Sequence, residues 1–308
     1  MTTSEQKLKG IIVPMVTPLT SDGRIDEAGT ARLVEHMIKG GVHGIFVLGS
    51  TGEAHCLPAR ARHDFVRLVG RLVAGRVPLL AGVTDTSLED SLSLAQTAAE
   101  SGACRIVAAA PYYYHHTQDD LVRWYTSLAD AAPLPLFLYN MPSCVKVSLA
   151  PATVDRLASH ENIVGLKDSS ANMTYFQTLL HVARKHEGFS VFVGPEELTG
   201  ECVLMGAAGG VNGGGNLFPG LLVSMYEAAA AHNVDKVREL QKDVMHISTT
   251  LYSIGDGPLG YLKGLKAALE MRGICSGHMA HPFADLSGAD LDKVREILSG
   301  LDESGRQS

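Results

Sequence analysis

Lys167 closes the run NIVGLK (162–167), which carries no charge before it. A lysine amine held in apolar surroundings can attack a carbonyl carbon and form a Schiff base. The alternative is a lysine that snorkels to water or pairs with a carboxylate. Tyr139 lies at the end of a second apolar run, LPLFLYN (134–140). A phenol there can pass protons between a nucleophile and its substrate. Otherwise it is a rim tyrosine whose hydroxyl finds a carbonyl. A third run, GIFVLG (44–49), leads into Gly49-Ser50-Thr51-Gly52-Glu53. Small hydroxyls and backbone N–H groups on one turn make a cradle for a carboxylate, although Gly/Ser turns after strands are common. Glu53 reads as a group that holds this loop, with a general base as the other reading. Glycines 213, 214 and 215 allow backbone to approach a ligand closely, or supply positive φ to a loop.

Groups so far apart in sequence need a scaffold that gathers strand ends. Eight short runs supply it: 11–17, 44–49, 77–83, 104–110, 134–140, 162–167, 189–194 and the weaker 206–213. Several are continuously apolar, as parallel strands covered on both faces must be. Helical patterns fill the gaps. Asp26, Ser87 and Thr117 are placed to cap three of them, while Pro58 and Pro151 suit first turns. The alternation predicts a (β/α)8 TIM barrel over residues 1–231, with the active site at the C-terminal ends of the strands. A doubly wound open sheet is the competing fold, but VTPLTSDG is not the Gly-rich phosphate turn it would carry after its first strand. Beyond residue 220 only helical patterns remain, at 221–231, 234–252, 257–272 and 289–301, so residues 232–308 read as a C-terminal helical extension.

Composition narrows the partners. The chain has 308 residues, 45% hydrophobic and 19% charged, with a net charge of −7 and no basic block, which argues against disorder and against nucleic acid. No apolar run is long enough for a membrane span, and the polar N-terminus lacks a signal-peptide core, so a cytoplasmic protein is expected. Five scattered cysteines and thirteen unclustered histidines suggest neither a disulfide framework nor a metal site.

GSTGE (49–53), PYY (111–113), YNMP (139–142), GLKDS (165–169) and GGVNGGGN (209–216), in this order, resemble the dihydrodipicolinate synthase/N-acetylneuraminate lyase family of class I aldolases. VPMVTPLTSDGRID (13–26) is similar to the family's first strand and loop, and the likeness covers essentially the whole chain. The resemblance implies that Lys167 is the Schiff-base lysine and Tyr139 the catalytic tyrosine. It implies that Ser50 and Thr51 grip a pyruvyl carboxylate, with Gly49 and Ser169 beside the substrate and Val211 offering a backbone group near the pyruvate unit. Tyr113 matches the tyrosine that reaches a neighbouring subunit's site. No metal or organic cofactor is implied, since the imine on Lys167 supplies the covalent chemistry. The small-molecule partner is a 2-oxo acid. The aromatic loop Tyr112-Tyr113-Tyr114 points to a homotetramer, a dimer of dimers.

One position departs from the synthases. Where they carry arginine two residues after the proline of YNMP, this chain has Cys144, with Lys146 nearby. The GSTGE and LKDSS forms look more like the sugar-acid aldolases and lyases, and Glu196 falls where N-acetylneuraminate lyases place an acid that binds substrate hydroxyls. The expected activity is cleavage or dehydration of a 2-oxo-3-deoxy sugar acid, with pyruvate as the keto product of cleavage. The rivals are condensation of pyruvate with aspartate semialdehyde and a non-catalytic sugar-acid-binding protein on the same fold.

Overall fold

The computed structural model describes residues 7–255, 257 and 259–303; the last residues of the expected extension, 304–308, lie outside them. Eight parallel strands close into a barrel in chain order. They are β1 (Gly10–Pro14), β2 (Gly44–Val47), β3 (Leu79–Gly82), β4 (Arg105–Ala109), β5 (Leu136–Asn140), β6 (Ile163–Asp168), β7 (Ser190–Val193) and β8 (Gly209–Gly210). Each lies within one of the predicted runs or overlaps it by all but one residue. The weakest run gives the shortest strand, two glycines that pair with β1 and β7 and close the circle.

The helices that cover the barrel are α1 (Glu27–Lys39), α2 (Ala59–Val73), α3 (Leu88–Glu100), α4 (Gln118–Ala131), α5 (Pro142–Val145), α6 (Pro151–Leu157), α7 (Met173–Ala183), α8 (Thr199–Leu204) and α9 (Pro219–Ala230). Their starts obey local chemistry. The side chains of Asp26, Ser87 and Thr117 accept from backbone N–H groups in the first turns of α1, α3 and α4, and Thr117 forms a reciprocal capping box with Asp120. Pro151 opens α6, whereas Pro58 stands just outside α2 as its cap residue. Helices α5 and α8 span only four and six residues, too short to show a helical period in the sequence.

The chain continues through α10 (Val234–Thr250), α11 (Gly260–Met271) and α12 (Ala289–Glu303). Of these, α10 packs on α9, α12 packs on α11, and α11 reaches the loop after β2. Lys266 of α11 is fully buried, and its Nζ lies 2.6 Å from Glu53 Oε2 and donates to the Thr17 carbonyl at 3.2 Å. Glu53 Oε1 in turn accepts from the backbone N–H of Ala280 at 2.7 Å. Among the described residues no helix is long and apolar enough to cross a membrane.

Candidate active site

An irregularity in β6 decides where its lysine stands. Leu136 pairs with Ile163 but Phe137 pairs with Gly165, so Val164 is an extra residue that sets the register for the rest of the strand. Tyr139 then lies beside Lys167, and Asn140 beside Asp168. Position 165 must be glycine. A Cβ there would stand 2.3 Å from the Phe137 ring and 2.6 Å from the Ser190 carbonyl oxygen. Phe137 meets Phe192 edge-on at 5.9 Å between centroids, and these rings with Ile12, Leu80, Val107 and Val211 make a floor around the lysine stem. The void left in that floor is about 10 Å³, no more than one water needs.

Lys167 is 6% exposed, and its Nζ lies 4.3 Å from the centroid of the Tyr139 ring and 5.3 Å from that of Phe46. Among the described residues no carboxylate forms an ion pair with it. The neighbouring Asp168 faces elsewhere. Its oxygens accept from Asn140 Nδ2, the Ser170 hydroxyl and the Ser170 N–H, and burial nevertheless raises its pKa above the ordinary value. An amine thus stands at the barrel mouth between aromatic faces without a salt bridge.

The loop after β2 brings hydroxyls to this amine's neighbour. Ser50 Oγ lies 3.3 Å from Tyr139 Oη. Gly49 is fixed by Phe46, since a Cβ would meet that ring at 2.8 Å. The Gly52 and Glu53 N–H groups bond back to the Gly49 and Ser50 carbonyls, and Thr17 donates to the Gly52 carbonyl at 2.7 Å. Glu53 adopts φ of 53°, held there by Lys266 and Ala280. Its role is therefore the structural one of the two readings.

Thr51 turns to a partner that the sequence did not suggest. Its hydroxyl lies 3.1 Å from Tyr261 Oη, in the first turn of α11. Tyr261 packs edge-on against Tyr252 at 5.0 Å, and Tyr252 donates to Glu196 Oε1 at 2.6 Å. Glu196 Oε2 accepts from the Gly214 N–H, also at 2.6 Å. Burial raises the Glu196 carboxyl to about 7, against the opposing pull of those two donors. The run of glycines is explained by the same contacts. A Cβ on Gly213 would lie 1.6 Å from Tyr261 Oη, one on Gly214 2.2 Å from Glu196 Oε1, and one on Gly215 2.5 Å from Val13. None of the three has positive φ, so the glycines answer to packing.

The remaining predicted residues are spread more widely. Val211 lines the floor with Lys167, its N–H bonded to the Val193 carbonyl at 2.7 Å. Ser169 donates its N–H to the Asn140 carbonyl, and its hydroxyl packs against Gly194. Tyr113 is 78% exposed, edge-on to Tyr114, and is not brought to the Ser50–Tyr139 pair within one chain. Its neighbour Tyr112 does reach inward and packs against His55 at 4.8 Å.

Above Ser50 and Tyr139 opens a cavity of about 300 Å³. Cys144 lines it, with Leu259 and Leu262 from α11 and its approach, and Phe283 from the segment before α12. Among the described residues no lysine or arginine lines it. Lys146 folds away, donating to the Ser143 carbonyl at 2.9 Å. Sequence reasoning missed the contribution of the C-terminal helices altogether, because an ordinary amphipathic pattern does not say which tyrosine or leucine overhangs a mouth built elsewhere. Among the described residues no three His, Cys, Asp or Glu side chains stand close enough to hold a metal ion.

A closed parallel barrel with a buried lysine at a strand end, beside a tyrosine–serine pair, defines the scaffold of a class I aldolase. The sequence profile of the dihydrodipicolinate synthetase family matches residues 7–301, and the chain belongs to that family of pyruvate-dependent class I aldolases and lyases. The solved dihydrodipicolinate synthase of Bacteroides thetaiotaomicron is 47% identical, with a TM-score of 0.93 over 96% of this chain and 99% of that one. The E. coli K12 protein YagE, solved in complex with pyruvate, is 31% identical with a TM-score of 0.90 over 96% and 98% of the two chains. The N-acetylneuraminate lyase of Rhizobium meliloti is 32% identical over 98% of this chain and 99% of its own.

Proposed function

We propose that this protein is a cytoplasmic lyase that cleaves or dehydrates a 4-hydroxy-2-oxo acid of the 2-oxo-3-deoxy type, the chemistry of the sugar-acid members of its family. The observation that carries this choice is the cavity beside Tyr139, which among the described residues is lined by no lysine or arginine to meet a second carboxylate. A carboxylate on the second substrate calls for a bidentate arginine or an equivalent charge. Cys144 supplies none, and Lys146 is engaged with the Ser143 carbonyl. Condensation with aspartate semialdehyde is therefore the less supported reading, although the 47% identical structure is that of a dihydrodipicolinate synthase.

In this reading the Ser50–Thr51 turn, with Gly49, holds the carboxylate of the 2-oxo acid. Lys167 Nζ attacks C2, and loss of water gives an iminium. For cleavage, the C3–C4 bond breaks and its electron pair passes into the iminium. Tyr139 takes the C4 hydroxyl proton as its phenol hands its own proton on through Ser50 to water, and C4 leaves as an aldehyde. Reprotonation at C3 and hydrolysis of the imine release pyruvate and the amine. For dehydration, a C3 proton and the C4 hydroxyl leave together as water. Neither course requires a metal or an organic cofactor.

The test is borohydride reduction in the presence of pyruvate. It is expected to inactivate the protein and to leave a single three-carbon adduct on Lys167, located by peptide mass spectrometry. An adduct on another lysine, or none with any 2-oxo acid, would sink the mechanism. Efficient condensation with aspartate semialdehyde, abolished by Lys146→Ala, would instead establish the synthase reading with a relocated cation.

A further inference from the structure

The cavity beside Tyr139 carries the substrate class one step further, and this step rests on the lyase reading. We propose that the group on C4 of the substrate is an alkyl or aryl group and not a polyhydroxylated chain. The product aldehyde is then an apolar one, and the balanced reaction is R–CH(OH)–CH2–CO–COO⁻ → R–CHO + CH3–CO–COO⁻. The C3–C4 bond breaks, the hydroxyl proton leaves C4 for Tyr139, and a proton is added at C3.

The lining makes the case. Leu48, Met141, Val145, Leu259, Leu262 and Phe283 all face the space above Tyr139. The polar side chains in the lining are Ser50, Glu53, His55, Thr84, Tyr112 and Tyr139, and four of them are hydrogen-bonded within the protein while the rings of His55 and Tyr112 pack on each other. Glu53 reaches the lining, but both its oxygens are held, by Lys266 Nζ at 2.6 Å and by the Ala280 N–H at 2.7 Å. Thr84 Oγ1 accepts from the Ala109 N–H at 2.9 Å, and Ser50 and Tyr139 bond to each other. The His55 ring is packed against Tyr112, and burial lowers its pKa, so it enters the cavity uncharged near neutrality. Glu196, the acid expected to receive sugar hydroxyls, does not line this cavity, and its two oxygens already accept from Tyr252 and Gly214.

Each hydroxyl of a sugar chain must trade water for a partner on entry, and an unpartnered one is costly. An apolar wall rewards the opposite choice, because burial of alkyl or aryl surface is itself favourable. Size is compatible. A dry cavity of about 150 Å³ takes benzene in another protein, and this one measures about 300 Å³.

The experiment runs the reaction in the condensing direction, with pyruvate and, in parallel, benzaldehyde, hexanal, glyceraldehyde and aspartate semialdehyde. We expect kcat/KM for benzaldehyde or hexanal to exceed that for glyceraldehyde by about tenfold or more, the span one small apolar group can supply. Phe283 lies at the partly exposed rim. Phe283→Ala should raise KM for benzaldehyde several-fold while leaving KM for pyruvate and the borohydride adduct on Lys167 as they were. Preference for glyceraldehyde, no turnover of either apolar aldehyde, or an unmoved benzaldehyde KM in Phe283→Ala would each overturn this inference. If the adduct on Lys167 still forms, the pyruvate chemistry survives that failure. Loss of the adduct in the unmodified protein would remove the lyase reading itself.

Discussion

Tyr139 and Lys167 were legible because a strand end is a place in sequence as well as in space. Each terminates an apolar run, and the eightfold alternation already says that such ends meet at one mouth. What the pattern could not convey is orientation. The extra residue at Val164 sets the parity of β6, and no periodicity shows it. The proton-moving role predicts that Tyr139→Phe slows turnover by about 10²–10⁴-fold, with borohydride trapping of pyruvate reduced far less. Stopped-flow turnover set beside adduct yield separates the two, and near-normal turnover would remove Tyr139 from the relay. Glu196 offers a second check at this scale. Its folded pKa, about 7, is raised by burial above the ordinary 4.5. The folded state therefore favours the proton. This contribution to stability is fully present below about 4.5 and is lost as pH rises through about 7, a change on the order of 3 kcal/mol. Urea titrations at pH 5 and pH 8 should show a smaller pH-dependent loss in Glu196→Gln than in the unmodified protein. Equal slopes would mean that the buried carboxyl does not titrate there.

At the scale of elements, the capped helices were legible from single residues. Asp26, Ser87 and Thr117 all cap as their positions suggested. Short helices such as α8 were not, since six residues hold less than two turns. Nor was the docking of α11, because Lys266 looks like any surface lysine in YLKGLKAALE. Its burial is enforced by a partner far away in sequence, Glu53, whose loop carries Ser50 and Thr51. Removing one member of such a pair leaves the other charge stranded, at a cost of about 3–5 kcal/mol. Lys266→Met should therefore destabilise the protein by that order and also raise KM for pyruvate through the loosened loop. Adding Glu53→Gln should recover much of the stability, as the double-mutant cycle by chemical denaturation would show. Equal loss in the single and double variants would mean that packing, and not the charge pair, holds α11 to the loop.

On the scale of the whole molecule, the loop after β4 is the part of the surface that a single chain leaves unexplained. Tyr113 and Tyr114 are 78% and 75% exposed and touch only edge to edge at 5.0 Å. Aromatics of this size are enriched in the cores of subunit interfaces. The family resemblance gives Tyr113 to a neighbouring subunit's site, and within one chain it stands apart from the Ser50–Tyr139 pair, so the assignment depends on a second copy whose site it enters. A homotetramer built from dimers joined at this loop satisfies both observations. Light scattering at micromolar concentration should then give a multiple of the 32.8 kDa chain mass. Tyr113→Ala combined with Tyr114→Ala should shift the mass toward the single chain and make activity depend on protein concentration. Tyr113→Phe is the sharper variant. It keeps the aromatic surface, so assembly should persist, and it removes only the hydroxyl, so turnover should fall if that hydroxyl serves the neighbour's site. A fully active monomer would refute the assembly. An unimpaired Tyr113→Phe oligomer would leave the loop as an interface and withdraw the tyrosine from the chemistry.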